Sequence, residues 1–243
     1  MKVIVTGGAG FIGSHLVDAL IKRGDEVIVI DNLLTGKMEN VNPAAKFFKL
    51  DIRNLEEIRL CFEGIEAVFH LAAWPRIPIS IEKPAETHAI NALGTLNVLI
   101  VSRDAGVKKD VYSASSSVYG NQEILPLRED MPPNPLNPYA VQKYIGELYS
   151  RIFSELFSLK TVSLRYFNVY GPRQHTEGAY APVMGIFLRQ KAGGERLTVT
   201  GDGEQTRDFT HVSDVVRANI LALESEKVGR GEVINIGAGK NYS

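Results

Sequence analysis

The sequence predicts an α/β protein: a doubly wound parallel β-sheet covered by helices on both faces, with a smaller second lobe interwoven with it. Three observations carry this. Short continuous apolar runs alternate with longer helical patterns through the first 168 residues, as in a parallel sheet buried on both sides. A glycine-rich turn, "TGGAG", joins the first apolar run to the first helical one. After Asn168 the texture changes to long loop-rich stretches with one helix between them. Right-handed crossovers between such strands place a binding site at their carboxyl ends.

In chain order, "KVIVT" is a buried strand and residues 10–23 form the helix that follows it. "EVIVID" and "KFFKLD" are the second and third strands, "LEEIRLCF" is helical, and "AVFHLAA" is a fourth strand. Residues 84–105 read as one long helix despite Gly94. "KDVYSASS" is the fifth strand, residues 138–158 a second long helix, and "KTVSLRYFN" the sixth strand. Beyond them, "VYGPRQHTEGAYAP" and "TVTGDGEQTRD" are loops, "HVSDVVRANILALES" is a helix and "EVINIG" a short strand. The expected division is a domain of residues 1–168, to which the helix near 211–226 returns, and a lobe of residues 169–243. No internal repeat interrupts this order.

A chain of 243 residues buries a sizeable core without a disulfide or metal to hold it. The net charge of −1 points to neither nucleic acid nor an anionic membrane as a partner. Cys61 is the single cysteine, so there is no internal disulfide, and a reducing compartment suits it. No apolar run approaches the ~18 residues of a membrane span, and "MKVIVTGGAG" is too short for a signal-peptide core. A cytoplasmic protein is expected. His15, His70, His88, His175 and His211 show no metal-ligand spacing with one another or with Cys61, so no metal is expected.

Gly7, Gly10 and Gly13 in "VTGGAGFIGSH" stand between strand and helix. The first allows a tight turn, the second lets backbone approach a pyrophosphate, and the third allows close helix–strand packing. The helix N-terminus offers free N–H groups to the phosphates. Gly8 and Gly13 also have P-loop spacing, but Ser14 occupies the place of the required lysine, which excludes that motif. Asp31, closing the second strand, can accept hydrogen bonds from both ribose hydroxyls and repels a 2′-phosphate, so NAD is expected rather than NADP.

"NPYAVQKY" holds the chain's only Tyr-x-x-x-Lys, Tyr139 and Lys143, which share a helix face. A nearby ammonium, with the positive nicotinamide ring, is expected to lower the phenol from its ordinary value of ~10. Ser115, Ser116 and Ser117 follow the fifth strand at the sheet's carboxyl edge. A serine hydroxyl there can pass a proton between a substrate hydroxyl and a tyrosinate. Together these residues describe a hydride-transfer site with Tyr139 as base.

Taken together, "VTGGAGFIGSH", "DNLLTGK", "DIRN", "HLAA", "NALGTLNVL", "SSSVYG", "PYAVQK", "RYFNVYGPRQ", "GDGEQTRDF" and "VINIG" resemble the extended short-chain dehydrogenase/reductases. Within them, the chain is similar to the NAD-dependent epimerase/dehydratase family and most of all to UDP-hexose 4-epimerases. The resemblance implies a Rossmann-type NAD-binding domain and a substrate-binding lobe. It implies Ser115, Tyr139 and Lys143 as the catalytic set. Around the dinucleotide it implies Phe11 and Ile12 beside the glycines, Asn32, Thr35 and Gly36 beside Asp31, and Asp51 and Ile52 at adenine. Leu71, Ala72 and Ala73 would line the phosphate–ribose path, Asn91 would support it, and Ser113 and Tyr166 would lie toward the nicotinamide. Ser115 and Ser116, Asn168, Leu197, Val199 and Arg207 would meet the UDP-sugar, Arg207 suiting a diphosphate by its guanidinium.

The implied reaction is 4-epimerisation of a UDP-hexose such as UDP-glucose, by oxidation to a 4-keto sugar and re-reduction on the opposite face. Related dehydratases and decarboxylases carry an acidic residue just after the catalytic hydroxyl, where this chain has Ser116 and Ser117. The segment "GAYAPVMGIFL" is similar to that of epimerases acting on UDP-glucose or UDP-N-acetylglucosamine. The alternatives are another nucleotide-sugar modifier of the family (a UDP-N-acetylglucosamine or UDP-glucuronate 4-epimerase, dehydratase, decarboxylase or reductase) and a non-catalytic NAD-binding protein. The resemblance also implies a homodimer through helices 84–105 and 138–158, and a substrate lobe that would continue past residue 243.

Overall fold

The computed structural model describes residues 1–175, 183–199 and 201–243; the first five residues of the epimerase-like "GAYAPVMGIFL" stretch therefore lie outside the described residues. The first half runs β1 (Lys2–Thr6), α1 (Phe11–Arg23), β2 (Glu26–Ile30), β3 (Lys46–Phe48), α2 (Leu55–Arg59), β4 (Ala67–His70), α3 (Ile77–Glu82), α4 (Pro84–His88), α5 (Gly94–Asp104) and β5 (Lys109–Ser115). It continues with α6 (Pro138–Phe157), β6 (Lys160–Tyr166), β7 (Val169–Tyr170), α7 (Val183–Ala192), β8 (Arg207–Asp208), β9 (Thr210–His211), α8 (Val212–Glu224), β10 (Glu232–Ile236) and β11 (Asn241–Tyr242).

Seven strands form one sheet in the order β10-β6-β5-β4-β1-β2-β3, every neighbouring pair parallel. Alternate residues of each strand feed opposite faces. Val3 and Val5 of β1, with Val27 and Val29 of β2, pack with Leu16, Val17 and Leu20 of α1 and Val212, Val215 and Val216 of α8. Ile4, Ile28 and Ile30 go to the other face with Val98, Leu99 and Val101 of α5 and Phe153 of α6. The doubly wound sheet is thus built around the apolar runs of β1, β2 and β4.

Three features depart from the linear reading. Residues 84–105 are not one α-helix: a π-helical stretch, Ala89–Leu93, separates α4 from α5. There Gly94 presses on Ile52, whose Cδ1 would lie 2.6 Å from an added β-carbon. Helix α3 was not expected, because its six residues are too few to establish a period. The division at residue 168 also needs correcting. β10, expected in the lobe, is instead an edge strand of the main sheet. With α8, the helix already expected to return, packed with α1, the lobe's own contribution is α7, the loops around it and two small sheets, β7 with β9 and β8 with β11. Lys109 of β5 secures the return of α8. Its buried ammonium donates to the carbonyls of Ala222, Leu223 and Ser225 at 3.1, 3.1 and 2.6 Å, the end of the helix that favours a cation.

Asp110, next along β5, is buried. Ser102 Oγ donates to its Oδ2 at 3.2 Å, while Oδ1 has no partner among the described residues. Burial pushes this carboxyl up to about 7, against roughly 4 in an unfolded chain. Its contribution to stability is therefore complete below that unfolded value and is lost as pH rises through 7. Asp110→Asn removes the titration, and its stability relative to the parent should rise by about 1–3 kcal/mol between pH 5 and pH 8. Thermal unfolding at the two pH values measures this, and an identical difference at both would contradict it.

Candidate active site

A cavity of about 790 Å³ runs along the carboxyl ends of the central strands, the size of a typical small-molecule cleft. Gly7, Gly10, Phe11, Ile12 and Gly13 border it beyond β1, Asp31, Asn32 and Thr35 beyond β2, and Leu71, Ala72 and Ala73 beyond β4. Ser113 and Ser115 come from the end of β5, Tyr139 and Lys143 from α6, and Tyr166, Asn168 and Arg207 from β6 and the second lobe.

The glycine turn fits a dinucleotide. Gly7 has φ +74°, and a β-carbon there would lie 2.7 Å from the Ala72 nitrogen. A β-carbon on Gly13 would strike the Gly7 carbonyl. Helix α1 begins without a side-chain cap, leaving its first amide groups for an anion. Asp31 is buried, with Ala9 N–H donating to Oδ2 at 3.0 Å and Leu33 N–H to Oδ1 at 2.8 Å. Burial raises its carboxyl and those two bonds oppose the rise. Each oxygen keeps a second lone pair for a sugar hydroxyl.

Some expected residues stand behind the cavity rather than on it. Gly36 packs against Asp31 Oδ2. Asp51 accepts from Asn32 Nδ2 at 2.9 Å and from Arg53, and the Arg53 guanidinium holds its carboxyl down at about 2; it braces Asn32. Asn91, carried by the π-helical stretch, accepts from Trp74 N–H at 2.7 Å and donates to the Trp74 carbonyl at 3.1 Å and to Gln142 Oε1 at 2.8 Å. It thereby fastens the 71–76 wall to α6. Ser116 lies in the 3₁₀ turn after β5, off the cavity lining. Leu197 and Val199 are exposed and also outside it, so the cavity does not bring them to the other candidates.

At the inner end, Ser117 donates to Ser115 Oγ through both its N–H (3.2 Å) and its hydroxyl (2.9 Å). The Ser115 proton is thereby left over, and Ser115 is the group that opposes the burial-driven rise of the Tyr139 phenol. Tyr166 is held by Asn219. Helix α6 is aimed by its first turn: Pro138 is at its start, Asn137 Oδ1 accepts from Ala140 N–H, and Ser80 Oγ of α3 accepts from Tyr139 N–H at 3.1 Å.

The expected lowering of the phenol by Lys143 is not what the protein alone does. Desolvation pushes Tyr139 up to about 12, opposed by Ser115. Lys143 is buried and donates to the Ser113 carbonyl at 2.7 Å, its nitrogen 5.0 Å from the Tyr112 ring centre. Burial brings its own ammonium down to about 7. Below the site, His70 is buried between Thr6 and Thr95 at 2.7 and 2.9 Å, and burial takes it down to about 3. Since Thr95 donates to the Asn91 carbonyl, His70 donates from Nε2 and accepts at Nδ1, a neutral structural group.

The sequence reading missed several lining residues: Leu34, the 75–78 stretch with Arg76, Gln174, His175, Met184 and Phe209. His175 reaches the Thr35 carbonyl at 3.2 Å, a contact no local pattern announces.

The model of the NAD dependent epimerase/dehydratase family matches residues 3–237. The chain belongs to this family. Three solved members are especially similar. A UDP-glucose 4-epimerase of Thermotoga maritima with UDP-glucose is 45% identical, with a TM-score of 0.95, over 100% of this chain and 78% of that one. A UDP-N-acetylglucosamine 4-epimerase of Methanobrevibacter ruminantium in complex with UDP-N-acetylmuramic acid is 42% identical, TM-score 0.93, over 99% and 77%. A UDP-glucose 4-epimerase of Thermus thermophilus in complex with NAD is 40% identical, TM-score 0.91, over 100% and 79%. These proteins share one fold, and their names carry more than one sugar.

Asn91→Ala strips the Trp74 backbone and Gln142 of buried partners, each worth about 1–3 kcal/mol when left unsatisfied. The variant should lose at least about 2 kcal/mol of stability, and emission from Trp74, the single tryptophan, should shift to the red. Chemical denaturation and fluorescence test this; unchanged emission would mean that the wall is held by something else.

Proposed function

We propose that this family member catalyses NAD-dependent 4-epimerisation of a UDP-hexose of the UDP-glucose/UDP-galactose type, through a 4-keto sugar. The supporting observation is that Ser115, Tyr139 and Lys143 line one cavity together with the glycine turn, Asn168 and Arg207. NAD, with Asp31, the glycine turn, Tyr139 and Lys143 as its proposed holders, supplies reversible hydride acceptance at one sugar carbon. Tyr139, as phenolate, takes the C4 hydroxyl proton and later returns it, and Ser115 donates to the phenolate oxygen while it carries the charge. Desolvation makes that donation stronger than it would be in water. A cationic Lys143 beside the pair stabilises the same charge. Asn168 and Arg207 are proposed to hold the diphosphate while the sugar turns. No carboxylate adjoins Ser115, as chemistry confined to one carbon requires none.

A UDP-sugar and a second copy of the chain are the proposed partners. Leu93, beside α5, and Val141 and Ile152 of α6 are exposed, which supports pairing through these helices. Among the described residues no helix is long and apolar enough to cross a membrane; a cytoplasmic setting remains part of the proposal.

Incubation with UDP-glucose, UDP-N-acetylglucosamine and UDP-glucuronate, with and without added NAD, tests the reading: conversion without loss of mass supports it, and loss of water or CO₂ sinks it. Tyr139→Phe should lower kcat by about 10²–10⁴ while leaving NAD affinity within a few-fold, and retained turnover would refute the assignment. Asp31→Asn should narrow the preference for NAD over NADP by about tenfold, the effect of ~1.4 kcal/mol, as read by calorimetric titration of both; an unaltered ratio removes Asp31 from that role.

A further inference from the structure

Glu147 lies one turn beyond Lys143 on α6, and residues at this spacing share a helix face. Both are buried, each 3% exposed. Glu147 is gripped by Arg165 of β6 in a fork, Nε to Oε1 at 2.9 Å and Nη2 to Oε2 at 2.7 Å, and the two side chains are equally shut from water. Arg165 is also packed over the Tyr119 ring at 4.5 Å, and its Nη1 has no hydrogen-bond partner among the described residues. In register, Arg165 sits opposite Ala114 and the adjacent Tyr166 opposite Ser115. Three charges, positive, negative and positive, therefore stand in sequence behind the site.

Such a buried series is costly to assemble and is weak evidence for stability; its position suggests another use. We infer that Glu147 is a positioning residue for the active site: kept anionic by the Arg165 fork, it holds the buried Lys143 side chain in its charged form beneath Tyr139. This rests on the reading of Tyr139 and Lys143 as the working pair. The other groups around Lys143 do not supply the negative charge. Tyr139 on α6, Tyr112 on β5 and Tyr166 on β6 are all phenols raised by burial. His70 on β4 is neutral, and Arg165 on β6 is itself a cation. Burial depresses the Lys143 ammonium, and Glu147 is the group that opposes this. Burial likewise raises Glu147, and Arg165 followed by Lys143 opposes that.

The test follows Lys143 itself by NMR of ¹³Cε-labelled lysine, its signal assigned by its loss in Lys143→Arg. It uses no sugar, so it can fail while epimerisation stands, or succeed where epimerisation is absent. In Glu147→Gln the Lys143 midpoint should fall by about one pH unit or more, the usual effect of losing a close opposite charge. Glu147→Gln combined with Arg165→Met leaves no orphaned guanidinium, and the midpoint should again fall, by less. A midpoint that does not fall in a folded variant overturns the inference. On the unmodified protein, the Glu147 carboxyl signal should hold its ionised position from about pH 6 to pH 9; a Glu147 that titrates within this range also overturns it.

Discussion

The arrangement of the site depends on placing an ammonium group, Lys143, out of water at the end of a parallel sheet. A buried lysine needs its hydrogen bonds and charge answered locally. The Ser113 carbonyl at the end of β5 supplies one bond, and the face of Tyr112 lies beside the nitrogen. Both demand that α6 lie close upon β5. Gly146 permits this, because a β-carbon there would collide with the Tyr112 hydroxyl. Once α6 is seated in this way, Tyr139 one turn earlier must face the cavity next to Ser115.

The surrounding polar groups are consistent with a site built before a ligand arrives. Thr6, His70, Thr95 and Asn91 form a buried hydrogen-bond series running from β1 through β4 to the helical layer. Asn91 and Gln142 then carry it to α6, and Gln142 donates onward to Thr87. A fully satisfied network of this kind specifies one arrangement of its elements, since any slippage leaves buried groups unpaired. Among the described residues, the second lobe is attached by more exposed contacts. His15 meets the Pro172 carbonyl at 2.9 Å, Arg173 pairs with Asp18 at 2.8 Å, and Asp208 accepts from the Ala238 and Gly239 amides at 2.8 Å each.

Much of this was legible in the sequence. Strands buried on both faces are rich in apolar residues, so β1, β2 and β4 announce themselves without partners, and β5 and β6 do so by their apolar and aromatic positions. The glycine turn and Asp31 are local devices whose spacing carries their geometry. Tyr139 and Lys143 share a helix face by period alone. What the chain could not reveal locally were features that exist only between distant segments. The π-helical stretch at Ala89–Leu93 follows from Gly94 meeting Ile52 and from the three bonds of the Asn91 side chain. The wall at 75–78, with the short α3, has no period to read. Leu197 and Val199, placed by likeness to relatives, stand away from the cavity.

The sequence by itself determined the fold class, the dinucleotide turn and the residues that could carry chemistry, because each depends on local spacing and on strands whose burial is written in their composition. Tertiary structure alone decided the electrical state of the site. Whether Lys143 lowers Tyr139 or is itself depressed, and whether His70 is charged, depend on how much water is removed and which charges are brought near. Those are properties of packing between β4, β5, β6 and α6, and no stretch of the chain contains them.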